Sequence, residues 1–139
     1  MKEIVTEIQI NASPDKVWQV LTANEQWYAW NPFIIKSVGN FVVGEKVTNT
    51  IHMTGQKPMT FKPTVLQADK EKELRWLGRL FVPGLFDGEH YFKLAPQGTG
   101  THLVHGEIFK GLLIGMLNLD DARKSFVALN EALKKRVEE

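Results

Sequence analysis

The chain has 139 residues, of which 43% are hydrophobic and 24% are charged, and this is the composition of an ordinary globular protein of one domain. With 17 Lys and Arg residues against 16 Asp and Glu, the net charge is +1, so the overall charge does not favour nucleic acid as a partner. The chain lacks cysteine, which excludes a disulfide scaffold, thiolate metal sites and thiol nucleophiles and fits a reducing compartment.

Hydropathy sets two further expectations. No apolar run approaches the roughly 18 residues that a membrane-spanning helix needs, so we expect no integral membrane association and a cytoplasmic location. The sequence contains no internal repeat, low-complexity tract or linker. We therefore expect a single domain over residues 1–139.

The N-terminal part of the chain predicts one strand followed by two short helices. Residues 4–10 alternate between apolar and polar side chains, which is the pattern of a strand. Ser13 is a favourable N-cap and Pro14 suits the first helical position, so a helix begins here, and we expect it to end between residues 22 and 24. Residues 25–30 predict a second short helix.

From Ile34 onward the pattern changes to strands and then to one long helix. The predicted strands lie near residues 34–39, 43–53, 58–69, 73–81, 86–95 and 100–110. Pro63 cannot donate a ladder hydrogen bond, so it predicts an edge or a bulge in its strand. Apolar residues between Leu119 and Val137 recur at steps of three and four, which predicts one amphipathic helix.

This order of elements predicts an α+β fold. Short connections make neighbours in sequence neighbours in the sheet. The result is a curved seven-stranded antiparallel sheet wrapped around the long C-terminal helix, with two short helices after the first strand. One helix cannot fill the whole concave side of such a sheet, and the remaining space is where we expect a ligand.

Ionisable side chains on the last two strands are the most informative feature of the sequence. Successive strand residues point to opposite faces, so His90, His105 and Glu107 share one face with phenylalanines and leucines. Such groups are costly in a core unless they are paired or line a cavity. They predict either a His–carboxylate pair that transfers protons or orients a ligand, or an internal pair that fixes strand register. His90 can reach either partner across the hairpin.

Metal and cofactor sites are not expected. His102 and His105 lie three residues apart on one strand and point to opposite faces, His52 has no acidic residue nearby in sequence, and the HExxH motif is absent. The phosphate-binding loops and the GxSxG nucleophile motif are absent as well. These absences disfavour phosphoryl transfer, nicotinamide chemistry and serine hydrolysis, so we expect no metal and no cofactor.

Three stretches of the chain carry a resemblance to a known superfamily. They are INASPDKVWQVLTANEQWYAWNPF (10–33), LRWLGRL (74–80) and GEHYFKLAPQGTGTHLVHGEIFKGLL (88–113). Over essentially its whole length the chain resembles the START-like superfamily, also called SRPBCC, in its polyketide cyclase/dehydrase and lipid-transport-like branch. The resemblance implies the helix-grip fold, with a deep and mostly apolar cavity for small hydrophobic molecules. The resemblance does not imply a particular activity for this chain, because members of the superfamily include lipid carriers, hormone receptors, cyclases and co-chaperone modules.

Ten side chains are predicted to contact a ligand, because they are aromatic, apolar or ionisable and are expected to face the cavity. They are Trp30, Phe33, Phe61, Trp76, His90, Phe92, His105, Glu107, Phe109 and Met116. The places of Trp30 and Phe33 at the cavity rim are implied by the helix-grip resemblance. Two apolar segments, 81–86 and 112–117, either form a gate that glycines allow to move or simply cover the end of the sheet.

Three functions remain open at this stage. The first is a binding module that holds, transports or sequesters a small hydrophobic or lipid-like molecule, and we expect the protein to be a monomer or a weak homodimer. The second is a cofactor-free cyclase, dehydratase or isomerase for a polyketide-like or aromatic substrate, with His105 or His90 as general base and Glu107 as the orienting partner. The third is a protein-interaction module whose apolar loops dock a partner.

Overall fold

The computed structural model describes residues 1–53, 55–80, 86–112, 114–116 and 118–139, and the side chains of Leu80, Phe86 and Met116 are outside this description. Both segments predicted as a gate, 81–86 and 112–117, lie partly outside the described residues. The gate therefore stays a prediction.

Within the described residues the chain forms eight strands and two α-helices. The strands are β1 (Lys2–Ile10), β2 (Ile34–Val38), β3 (Thr48–Ile51), β4 (Met59–Phe61), β5 (Thr64–Asp69), β6 (Glu73–Leu80), β7 (Phe86–Gln97) and β8 (Gly100–Lys110). The helices are α1 (Pro14–Thr22) and α2 (Asp120–Glu138), with short 3₁₀ helices at Asn24–Ala29 and Ile114–Met116.

Helix α1 begins where the sequence predicts. The Ser13 hydroxyl accepts a hydrogen bond from the Lys16 amide at 3.3 Å, and Pro14 opens the helix. The cap thus supplies a partner for an amide that the helix itself leaves unpaired. The helix ends at Thr22, inside the predicted interval, and the predicted second short helix is present as a 3₁₀ helix.

The strands form two sheets. The larger sheet has the strand order β1-β8-β7-β6-β5, and the smaller has the order β2-β3-β4. Neighbouring strands run antiparallel in both. The α+β class and the long C-terminal helix are confirmed, but the prediction of one seven-stranded sheet is wrong, since the described residues divide into five strands plus three.

Pro63 marks the division between the two sheets. The sequence predicts one strand over 58–69, but the chain pairs with β3 before Pro63 and with β6 after it. Proline has no N–H to donate to a ladder, and the Pro63 carbonyl accepts a hydrogen bond from the Val47 amide at 3.1 Å. The predicted strand 43–53 is shortened to β3. Its first residues, 44–47, form hydrogen bonds with residues 63–65 instead of with the smaller sheet.

The two halves of α2 have different surroundings. The buried residues of its second half, Leu129, Leu133 and Val137, belong to one core together with Val17 and Leu21 of α1. This packing fixes the helix against β1 and closes one end of the interior. The first half of α2 adds Phe126 to the same core, and Ala122 and Phe126 from this half also line the site described below.

A close approach at Gly106 on β8 gives a test of the sheet packing. A Cβ atom at Gly106 would meet the Ile4 carbonyl oxygen and the Tyr91 hydroxyl, and the carbonyl belongs to a paired strand that cannot move aside. We expect Gly106→Ala to lower the free energy of unfolding by about 1–3 kcal/mol, as overpacking does. Urea unfolding measures the change. The matched control is Gly115→Ala, where a Cβ meets no atom of the described residues within 4 Å, and equal losses in both variants would contradict the packing.

Candidate functional site

A pocket of about 430 Å³ lies between the smaller sheet, the strands β6–β8 and the first half of α2. This volume falls within the range of about 300–1,000 Å³ that is usual for small-molecule sites. Most of its wall is apolar, and the apolar side chains are Phe33, Ile34, Ile51, Met53, Met59, Phe61, Trp76, Phe109, Leu119, Ala122 and Phe126.

The pocket runs from the protein surface into the core. Its inner wall contains Trp76, His90 and Phe126, which are all buried. Its outer wall contains Gln56 and Asn118, which are exposed. A molecule entering from the surface would therefore reach the core along a mostly apolar path.

Five polar side chains form a continuous line of hydrogen bonds from the pocket wall across the interior. His90 Nδ1 lies 3.1 Å from Glu107 Oε1, and His90 Nε2 lies 2.7 Å from His105 Nε2. On the far side, His105 Nδ1 lies 2.8 Å from Asn130 Oδ1, and Asn130 Nδ2 donates to Thr6 Oγ1 at 2.8 Å. The line thus joins β8, β7, α2 and β1.

A backbone carbonyl fixes the direction of these hydrogen bonds. The single hydroxyl proton of Thr6 is donated to the His105 carbonyl oxygen at 2.6 Å, so Thr6 Oγ1 must accept from the Asn130 amide. That orients the Asn130 carbonyl oxygen toward the imidazole. His105 Nδ1 therefore carries a proton and donates it.

His105 is held as a neutral imidazole. Complete burial, together with the charge of neighbouring His90, lowers the pKa of His105 well below its ordinary value of 6.5. Since its one proton is on Nδ1, the Nε2 atom accepts a hydrogen bond from His90 Nε2–H. One further proton then lies between His90 Nδ1 and Glu107 Oε1, on either the imidazole or the carboxyl group. The line of hydrogen bonds therefore ends at the pocket wall with His90 and Glu107, which share this proton.

Aromatic rings hold both imidazoles in place. Trp76 stacks on His90 with ring centroids 4.8 Å apart, while Phe92 and Phe126 stack on the two sides of His105 at 4.3 and 4.5 Å. Stacking leaves only the ring edges available for hydrogen bonds. It also excludes water from His105, which is the physical origin of the lowered pKa.

Two glycines make room for the carboxylate and for an aromatic wall. Gly78 and Gly88 are directly opposite each other on β6 and β7. A Cβ atom at Gly88 would collide with Glu107 Oε2, and one at Gly78 would lie 3.4 Å from the Phe61 ring. The bare backbone at Gly88 therefore lets Glu107 lie over the sheet as part of the pocket wall, and Gly78 lies beside the Phe61 ring.

The structure brings six of the ten predicted residues together in the pocket wall. They are Phe33, Phe61, Trp76, His90, Glu107 and Phe109. Phe92 and His105 are fully buried behind this wall, and Trp30 packs partly buried against the core. The Met116 side chain lies outside the described residues. Contact of any of the ten with a ligand stays a prediction.

The sequence left open whether Glu107 pairs with His105 or with His90. The structure pairs Glu107 with His90, and Asn130 orients His105. The sequence reasoning missed Asn130 and Thr6. Both carry a periodicity signal, because Thr6 alternates with inward isoleucines on β1 and Asn130 lies four residues after Phe126 on the buried stripe of α2.

The remaining histidines lie outside the site. His102 faces the surface and bonds to Glu7, and His52 is exposed, both as expected. Among the described residues no group of three His, Cys, Asp or Glu side chains is placed to hold a metal ion. In the same part of the chain, no helix combines the length and the apolar character that crossing a membrane requires.

The lowered pKa of His105 predicts how stability depends on pH. Unfolded His105 binds a proton near its ordinary pKa of 6.5, whereas folded His105 resists protonation until a much lower pH. Below pH 6.5 the unfolded state therefore binds more protons than the folded state. The free energy of unfolding should fall by up to about 1.4 kcal/mol for each unit by which the pH is lowered in that range.

Urea unfolding at a series of pH values measures this slope. His105→Gln should reduce the slope below pH 6.5, whereas the control His102→Gln, at an exposed position, should keep it. An NMR titration of wild-type His105 provides a direct check, since its resonance should not shift through the ordinary pKa. Equal slopes in both variants, or a normal titration of His105, would contradict the neutral assignment.

The fold is shared with solved structures of low sequence identity. Protein MLL2253 from Mesorhizobium loti is 22% identical with a TM-score of 0.77, over 99% of this chain and 97% of that one. Major latex-like protein 151 from Panax ginseng is 11% identical with a TM-score of 0.82, over 99% and 98%. DynU16, from the dynemicin biosynthetic locus, is 13% identical with a TM-score of 0.74, over 99% of this chain and 48% of that one.

A comparison with curated proteins gives no match. The model of the family described as polyketide cyclase/dehydrase and lipid transport matches residues 1–138, which is nearly the whole chain. The chain therefore belongs to the polyketide cyclase/dehydrase and lipid-transport family, the branch of the START-like superfamily that its sequence resembles.

Proposed function

We propose that this protein binds a small hydrophobic molecule in the pocket, with the His90–Glu107 pair against the polar end of that molecule. The observation that carries the proposal is an apolar pocket of about 430 Å³ whose inner wall contains an ionisable pair. The family description, which includes lipid transport, supports the same class of ligand.

The energetics of the wall favour an apolar occupant. Phe33, Trp76 and Phe126 line the pocket although they are almost completely buried. Removing apolar surface from water contributes about 25 cal/mol per Å², so a hydrophobic molecule gains affinity by burying its own apolar surface against these rings. A few polar groups in an apolar site then set the orientation of the ligand.

Filling the pocket tests the proposal. Ala122 lines the pocket from α2, so Ala122→Phe should place a ring in the space that the ligand needs. We expect it to weaken binding of N-phenylnaphthylamine, an uncharged fluorescent hydrophobe, by about tenfold, equivalent to about 1.4 kcal/mol. Fluorescence titration measures the affinity.

The matched control is Ala128→Phe, because Ala128 is exposed on the same helix and is not part of the pocket wall. This variant should bind the probe as the wild type does. Equal affinity in the two variants, or no binding of the probe by the wild-type protein, would contradict the proposal.

A second candidate function is cofactor-free acid–base catalysis in the same pocket. It is favoured by the proton that His90 and Glu107 share at the pocket wall, since a positioned acid–base pair can remove a proton from carbon and return it. The family description names cyclases and dehydrases, and DynU16 comes from a biosynthetic locus. His90 and Glu107 would meet a substrate, whereas His105 lies behind them and positions His90.

Hydrogen exchange at carbon tests this second function without a known substrate. Beta-tetralone has acidic protons next to its carbonyl group, and in heavy water a base that removes one of them leads to its replacement by deuterium. If the pair is catalytic, the protein should accelerate the exchange, and Glu107→Gln should lower that acceleration by about a hundredfold or more. Proton NMR follows the exchange.

The control for this experiment is Glu7→Gln, which removes the carboxylate of the exposed pair with His102. It should leave any acceleration unchanged. Exchange at the rate of buffer alone, or an equal loss in both variants, would leave the pocket with a binding role only. The cytoplasmic location and the monomeric or weakly dimeric state stay predictions.

A further inference from the structure

We infer that the polar end of the ligand is an uncharged hydrogen-bond donor, such as an alcohol or phenol, and that the pocket discriminates against hydrophobic anions such as fatty acids. The inference rests on the proposed binding function and narrows it to a ligand class. It depends on the charges of the pocket wall and on the hydrogen bonds already made by His90 and Glu107.

Among the described residues, the pocket wall contains no lysine or arginine to pair with an anionic ligand, and the proton that would charge His90 is shared with Glu107. The residues outside the description, Thr54, Phe81 to Leu85, Leu113 and Leu117, are uncharged by sequence. A carboxylate moved into an apolar site without a partner loses its hydration and gains nothing in return. The composition of the wall therefore disfavours an anion.

His90 cannot supply the missing donor. Its Nδ1 atom is engaged by Glu107 Oε1 and its Nε2 atom by His105 Nε2. An imidazole has two nitrogen atoms for hydrogen bonds, so no N–H is left to donate to a ligand anion. His105 itself is neutral and lies behind His90.

The other acids near the pocket do not change this conclusion. Asp87 also lines the pocket. It lies three residues before His90 on β7, so its side chain belongs to the opposite face of the sheet, and its cross-strand neighbours are Arg79 and Lys110. Asp121 is exposed in the first turn of α2 and so adds negative charge at the outer end of the pocket. Glu107 is therefore the carboxyl group that a ligand meets at depth.

Glu107 is arranged to accept a hydrogen bond from a ligand. Its Oε1 atom faces His90, while Oε2 lies over Gly88, which also lines the pocket. A hydroxyl group placed beside Oε2 can donate to it without altering the proton shared with His90. A carboxylate at the same place has no proton to donate, so its oxygen atoms would face Oε2 with no hydrogen bond between them.

Matched ligands that differ only in the polar end test the inference. Decanol and decanoate have the same chain length, and isothermal titration calorimetry at neutral pH measures both affinities. We expect the wild-type protein to bind decanol at least about tenfold more tightly than decanoate. In Glu107→Gln, decanoate should bind more tightly than in the wild type, and the ratio should fall below about threefold.

Glu7→Gln is the matched control, since it removes one negative charge from a carboxylate–His pair on the outer face. It should keep the wild-type ratio. Circular dichroism verifies that the variants fold. If Glu107→Gln does not fold, the pH dependence of the wild type replaces it: decanoate should bind more tightly as the pH falls toward the pKa of its carboxyl group, while decanol should not change.

The outcomes separate this inference from the proposed function. Equal or tighter binding of decanoate by the wild type overturns the inference, as does a ratio that Glu107→Gln leaves unchanged. If neither compound binds but N-phenylnaphthylamine does, the inference fails and the binding function stands. If no hydrophobe binds, including N-phenylnaphthylamine, the proposed function itself fails.

Discussion

The hydrogen-bonded line from Glu107 to Thr6 is the interaction on which the candidate site depends. The register of β7 and β8 places His90 opposite Glu107, and α2 contributes Asn130 from the other side of the interior. A shift of one residue in this register would turn the polar side chains to the outer face. The sequence left open whether the pair fixes register or handles protons. The line is buried from His105 to Thr6 and reaches the pocket wall at His90 and Glu107, so its geometry leaves room for both roles.

The pocket itself results from small residues placed opposite one another. Protein interiors are normally close-packed, and the second half of α2 follows that rule with Leu129 and Leu133 in the core. Ahead of them, Ala122 on α2 is a small residue in the pocket wall, as are Gly78 and Gly88 on the facing strands. Alanine and glycine at these positions leave space that the side chains of larger residues such as leucine would fill. Gly88 also admits the Glu107 carboxyl group, so this one residue contributes both to the volume of the pocket and to its chemistry.

Local chemistry made much of this arrangement predictable, and tertiary contacts account for the rest. The Ser13 cap and the alternation that turns His90, His105 and Glu107 inward depend on neighbours in sequence, and both expectations agree with the structure. The change of sheet at Pro63 depends on which strand pairs with which, and a proline alone predicts only an interruption. The choice of Asn130 as the partner of His105 depends on how α2 docks, which no strand pattern specifies.

A second carboxylate–His pair shows why position, rather than residue type, decides the chemistry of the first. His102 and Glu7 are also 3.1 Å apart, but their side chains are 37% and 69% exposed, against 4% and 18% for His90 and Glu107. Water screens the outer pair, which is worth about 0–1 kcal/mol. The inner pair is largely shielded from water, so the loss of either group would leave the other without its hydrogen-bond partner. A ligand that reaches the pocket wall must therefore form hydrogen bonds that are compatible with the proton shared by His90 and Glu107. This requirement restricts the chemical group at the polar end of the ligand.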